Sequence, residues 1–193
     1  IGTGPHRINL PSRPDWFFNK QQYGGILVDL ASHQMDQFLY LTDSASAEIV
    51  SSTVGNFNHP EYPGLEDFGD ITVAGSGGMG YMRVDWFTPA GLATWGDARL
   101  FVIGTEGYIE ARKYIDLAGR PGDSHLVLVD QKETRYIDCS DVKPDYGQRL
   151  VHDVTNRTET AMTQKHCFLA TELTLRAEMG ARRFGNLCGA EAP

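Results

Sequence analysis

Asp29, His33, Asp36 and Tyr40 follow one another at intervals of four, three and four residues. On a helix that advances about 100° per residue, all four fall within an arc of roughly 60°. That stripe gathers two carboxylates, an imidazole and a phenol. A carboxylate one turn before a histidine holds one tautomer of the ring and raises its basicity, which suits proton transfer with a hydroxyl near neutral pH. Gly24 and Gly25 stand just ahead of the stripe and let backbone or ligand come close where the helix begins. Spacing alone leaves other readings open. Asp and His at i and i+4 also describe a solvated face with a weak ion pair. Asp29, His33 and Asp36 also have the spacing for a metal site, although one helix seldom supplies a whole hard-metal shell and no second His/Asp cluster is apparent.

Further candidates lie outside the stripe. His6, Arg7, Arg13, Asp15 and Trp16 occupy the segment leading to it. Of these, Arg13 and Trp16 are the expected substrate contacts, a hydrogen-bond donor and a flat ring suited to a sugar face, against the alternative of plain solvation. His166 opens the last helical segment, where packing beside Thr163 is the simpler reading. Residues 55–69 form a long loop with Phe57, Tyr62 and Phe68, for which a subunit or lid contact is the expectation. Cys167, set among Phe168, Leu169 and Leu173, reads as a small core residue.

The stretch VAGSGGMGYMRVDW, residues 73–86, holds Gly75, Gly77 and Gly80 in the order GxGxxG. A dinucleotide cradle needs those glycines to end a strand and open a helix, whose first amides meet the pyrophosphate. Here the following residues alternate, with Met82, Val84 and Trp86 on one side and Tyr81, Arg83, Asp85 and Phe87 on the other. A second strand follows, so the glycines read as a hairpin turn exploiting positive φ. Asp97, about 20 residues beyond Gly77, is the one feature in keeping with the nucleotide reading.

The elements that must position these residues follow from periodicity. Residues 5–25 carry Pro5, Pro11, Pro14, Gly24 and Gly25 and read as a loop; residues 26–41 read as one helix closed by Thr42 and Asp43. Strands are expected at 47–54, 70–74, 80–87, 99–103, 107–115, 125–129 and 134–138, joined by turns short enough to make neighbours antiparallel. Helices follow at 144–156 and 164–183, the second ending in a solvated Arg182–Arg183 pair. This order of helix, strands and helices gives an α+β fold, a mostly antiparallel sheet with helices on one face.

With 193 residues, a formal charge of −8 and 41% hydrophobic residues, the chain has room for a real core. The negative balance speaks against nucleic-acid binding, and no apolar run reaches membrane-spanning length. Cys139, Cys167 and Cys188 are odd in number and include no CxxC, which points to a reducing cytoplasm and away from zinc. The opening IGTGPHRINL has neither an initiator Met nor signal-peptide character and reads as the start of a fragment.

The stretch YGGILVDLASHQMDQFLYLT resembles the GGxxxDxGxHxxD segment of the glucose-fructose oxidoreductase / inositol dehydrogenase / MocA family. The stretches YMRVDWFTPAGLATWGDARLFVIGTEGYIEARKY, GRPGDSHLVLVD and YGQRLVHDVTNRTETAMTQKHCFLATELTLRA resemble one branch of it, in the family's order. The resemblance implies that the whole chain is the family's C-terminal domain, an open mixed sheet of the dihydrodipicolinate reductase and glyceraldehyde-3-phosphate dehydrogenase C-terminal type. It implies a parent enzyme that moves hydride to or from a hydroxyl-bearing carbon of a sugar, glycoside or cyclitol, using NAD or NADP held by a separate N-terminal Rossmann domain. On that resemblance His33 is the acid/base, Asp29 orients it or binds a neighbouring hydroxyl, and Asp36 supports His33 or touches substrate. His166 is placed near the cleft as a further substrate contact, and the free sheet face meets another subunit in a homo-oligomer. The family's EKP lysine motif is absent and Ala31 stands where many members have Gly. The chain alone is expected to be inactive, and a non-catalytic ligand-binding or assembly module is the alternative, with a metal-dependent sugar isomerase or hydrolase behind it.

Overall fold

The computed structural model describes residues 1–4, 7–92 and 94–185; Pro5, His6 and Cys188 lie outside them. In chain order the elements are β1 (Gly2–Thr3), a 3-10 turn (Asp15–Phe18), α1 (Lys20–Tyr23), α2 (Ile26–Asp29), α3 (Ala31–Leu41), β2 (Ala47–Asn56), β3 (Phe68–Gly75) and β4 (Gly78–Asp85). After them come β5 (Gly96–Ile103), β6 (Gly107–Lys113), β7 (His125–Asp130), β8 (Thr134–Asp138), α4 (Tyr146–Asn156), α5 (Gln164–Gly180) and β9 (Arg182–Gly185). The fold is α+β with an open mixed sheet, and the chain gathers into two compact units. One, the helical unit, comprises Asn9–Trp86 and the chain from Tyr146 onward; the other, the strand unit, comprises Ile1–Ile8 and Phe87–Asp145.

The helical unit orders its strands β4-β3-β2-β9, antiparallel except that β9 runs parallel to β2. Alternation sends Ile71 and Val73 of β3 and Met82 and Val84 of β4 inward, all nearly inaccessible. Ile26, Leu27, Met35 and Leu39 from α2 and α3, with Leu173 and Ala177 from α5, complete that core. Each of its larger aliphatic side chains contributes about 1.5–3 kcal/mol by leaving water. Gly69 is small because a side chain there would meet Leu27 at 2.6 Å.

The structure corrects the sequence reading at several points. The segment before the site is partly helical: Pro14 fixes the entry to the 3-10 turn, and the Asn19 side chain accepts the Gln21 N–H at 3.1 Å to cap α1. Gly24, at φ 90°, then ends α1 in the left-handed conformation. The expected helix over 26–41 is two helices, because Leu30 (φ −101°, ψ −45°) loosens the ladder and His33 N bonds Leu30 O instead, at 3.3 Å. The last helix stops at Gly180, and Arg182 and Arg183 belong to β9, paired with Thr53 and Val54.

Gly75, Gly77 and Gly80 form the expected hairpin, with β3 and β4 joined through Ser76 and Gly77. Their smallness has a different cause from positive φ, since none lies in the left-handed region. A Cβ on Gly77 would stand 1.7 Å from the Thr42 carbonyl oxygen, and one on Gly80 would stand 2.6 Å from the Phe38 ring. The hairpin tip is thus pressed against the end of α3.

Residues 55–69 are pinned from within. The buried Asp67 carboxylate accepts from Phe57 N (2.8 Å), Asn58 N (2.7 Å) and His59 Nδ1 (2.9 Å), and Tyr62 stacks on Phe18 at 4.0 Å. Phe57 meets Phe68 edge-on at 5.7 Å yet stays exposed, so the loop's aromatics pack partly within the unit while Phe57 remains at the surface.

The strand unit is an antiparallel ribbon ordered β8-β7-β6-β5-β1. β5 to β8 begin and end within a few residues of the expected limits, whereas the short β1 is not among the expected strands. Asp97, the nucleotide reading's acidic partner, pairs with Arg99 of its own strand at 2.6 Å.

Candidate active site

The site sits in the helical unit, on α2, α3 and the first turn of α5. Its anchor is the start of α2. Gly25 takes φ 103° there, and a side chain on it would strike the Glu178 carboxylate 2.4 Å away. Two buried carboxylates fill this corner: Glu66 Oε2 accepts the Ile26 N–H at 3.0 Å and Glu178 Oε2 accepts the Leu27 N–H at 3.3 Å. Negative charge at a helix N-terminus satisfies amides that have no intrahelical partner. Lys20 and Arg183 each bridge the two carboxylates. The Tyr23 hydroxyl accepts the Glu66 N–H at 2.9 Å, and burial pushes the Tyr23 phenol well above its usual range. This cluster escaped the sequence reading because its members come from α1, the β2–β3 loop, α5 and β9.

Asp29, the first acid of the stripe, is the last residue of α2 and is half-buried. Burial raises its carboxyl above the ordinary carboxylate range, opposed by the positive charge of Arg13 and by His33. His33, on α3, is exposed. Among the described residues none hydrogen-bonds its imidazole, so Asp29 acts on it through charge and not as the expected tautomer-holding partner.

Asp36 departs from expectation as well. It does not support His33: its Oδ1 lies 2.6 Å from Nε2 of His166 on α5. His166 also donates its backbone N–H to Thr163 Oγ1 at 3.2 Å, which caps α5. Tyr40, the fourth member of the stripe, is 77% exposed. Arg13 lies over the Phe17 ring at 4.0 Å, within the field of Asp29, and burial lowers its pKa. Trp16 is half-exposed and meets Phe17 edge-on at 6.2 Å. Cys167 is exposed, contrary to its reading as a core residue, with its thiol 3.1 Å from Met162 Sδ. The buried positions of α5 are Ala170, Leu173, Thr174, Ala177 and Glu178, and Cys167 stands off the face they share.

Among the described residues no group of three His, Cys, Asp or Glu side chains is gathered closely enough to hold a metal ion. No helix among them is long and apolar enough to cross a membrane. They also offer no dinucleotide cradle at the GxGxxG, which is the tip of a hairpin closed against Thr42.

The family model for the GFO/IDH/MocA C-terminal domain matches residues 3–110. Among solved structures, a protein assigned as an oxidoreductase from Erwinia carotovora atroseptica SCRI1043 is 43% identical, with a TM-score of 0.87 over 94% of this chain and 54% of that one. One assigned likewise from Thermotoga maritima is 20% identical, with a TM-score of 0.77 over 93% of this chain and 50% of that one. A variant of a 3-ketoreductase from Actinomadura kijaniata, in complex with TDP-benzene and NADP, is 12% identical, with a TM-score of 0.60 over 83% and 49%. The last two likenesses are of fold. This chain spans about half the length of the structures it matches. No curated protein matches it. From the model match and the 43% identity together, the chain belongs to the GFO/IDH/MocA oxidoreductase family, as its C-terminal domain.

Proposed function

We propose that this chain is the substrate-binding half of an NAD(P)-dependent oxidoreductase that moves hydride to or from a hydroxyl-bearing carbon of a sugar, glycoside or cyclitol. The observation that carries the reading is the half-buried Asp29 carboxyl, raised by burial against the opposing influence of Arg13 and His33, at the end of a helix whose start is locked in place. His33 takes the proton of the reacting hydroxyl and returns it in the reverse direction. Asp29 stabilises the charged ring, and Arg13 and Trp16 contact the substrate from the preceding segment. Coenzyme binding is assigned to an N-terminal Rossmann domain, in keeping with the 54% of the Erwinia protein that this chain covers. Exposed apolar side chains on the strands, Phe101 and Ile103 among them, support assembly with a second copy through the open sheet face. The free thiols Cys139 and Cys167 support a cytoplasmic setting.

The test is coenzyme reduction by the full-length protein with myo-inositol, D-glucose and TDP-glucose as hydride donors. His33→Ala is expected to lower kcat by about 10²- to 10⁴-fold. Undiminished turnover in the Asp29→Ala/His33→Ala double variant overturns the assignment, and turnover of none of the three donors by the unaltered protein favours the non-catalytic module.

A further inference from the structure

We infer that His166 reads a second hydroxyl of the substrate through Nδ1, and that Asp36 is the positioning residue that fixes it for this task. The inference rests on the proposed function. At 2.6 Å the contact between Asp36 Oδ1 and His166 Nε2 has the length of a charge-assisted hydrogen bond. A carboxylate only accepts, so Nε2 carries a proton, which leaves Nδ1 as the ring atom open to a substrate hydroxyl. Among the described residues nothing bonds Nδ1, while the backbone N–H of the same residue is already capped by Thr163. The ring is only 22% exposed, so its motion is restricted. Asp36 follows His33 by one turn of α3, which sets His166 beside the helix face that carries the proposed acid/base.

The chemistry separates the two histidines. His33, exposed and unbonded among the described residues, has both ring nitrogens open to the reacting hydroxyl. His166, clasped by a carboxylate, suits a fixed hydrogen-bond contact for a hydroxyl that does not react. The favoured substrate therefore carries a hydroxyl besides the one oxidised, and loss of that hydroxyl removes the partner of a preset ring nitrogen. Asp36 acts through His166 and needs no substrate contact of its own.

The kinetic test uses the full-length protein with the three donors named above. His166→Ala and Asp36→Ala are each expected to raise KM about tenfold with kcat nearly unchanged. The double variant is expected to be no worse than either single, because the two residues act as a unit. Multiplying KM effects in the double variant, or a fall in kcat that matches that of His33→Ala, overturns the inference. A second arm needs no activity: in the 15N-histidine-labelled chain, an Nε2–H proton of His166 is expected to be protected from exchange and to lose that protection in Asp36→Ala. Absence of that protected proton overturns the inference even if the enzyme is active. Its presence without turnover of any donor leaves the positioning bond standing and refutes the proposed function instead.

Discussion

The two units bury their apolar residues very unequally. Among the described residues, Phe17, Ile26, Leu27, Met35, Val54, Ile71, Val84, Trp86 and Leu173 are buried in the helical unit, whereas Ile8 is the buried aliphatic side chain of the strand unit. The strand unit instead exposes Phe101, Ile103, Leu117 and Val142. It is held by continuous backbone ladders and by ion pairs such as Arg112–Glu110 and Arg120–Asp116. Water screens pairs of that kind, and they add little to stability. The contrast teaches that precision and cover go together: side chains needed in fixed positions sit on the unit with a packed interior.

The contrast predicts where substitutions hurt. The largest loss belongs to Glu178→Ala, which removes the acceptor of the Leu27 N–H and leaves Lys20 and Arg183 with one carboxylate between them; urea unfolding should show about 3 kcal/mol of destabilisation. Gly77→Ala comes next, at about 2 kcal/mol, because the Thr42 carbonyl is backbone and cannot swing aside. In the strand unit, Ile103→Lys should change stability by under about 0.5 kcal/mol, while sedimentation reports whether it weakens self-association. A loss as large as that of Glu178→Ala would break the comparison.

A gentler probe is pH. The folded Asp29 carboxyl is raised by burial, so the folded chain holds its proton at pH values where the unfolded chain has released it. Stability contributed this way is complete below the unfolded carboxylate value, about 4, and is lost as pH rises through the raised one. Asp29→Asn should therefore melt higher than the unaltered chain at neutral pH, with the advantage vanishing toward pH 4. An advantage that persists in acid would remove the case for a desolvated carboxyl.

Local pattern made the strands and the hairpin legible. Alternation in residues 80–87 separated a strand from the helix that a nucleotide cradle requires, and β4 is there. The stripe from Asp29 to Tyr40 was legible as a helix face, but the loosening at Leu30 has no proline or glycine to announce it. Long-range pairings left no trace in the sequence. Asp36 and His166 are 130 residues apart, and Lys20 and Glu178 are 158 apart, so no local rule ties them. Arg182 and Arg183 looked like a helix end because the preceding residues are strong helix formers, and β9 forms only where β2 offers a parallel edge.

The cap on α2 also sets an order of events during synthesis. Leu27 receives its acceptor from a residue 151 positions later, so the beginning of the helix emerges from the ribosome long before the group that steadies it. Until then its amide can be served only by water, and the closing of so large a loop is slow compared with helix growth. Maturation of the site is thus a late step, and a nascent chain stalled before position 178 would carry the helix without its final orientation.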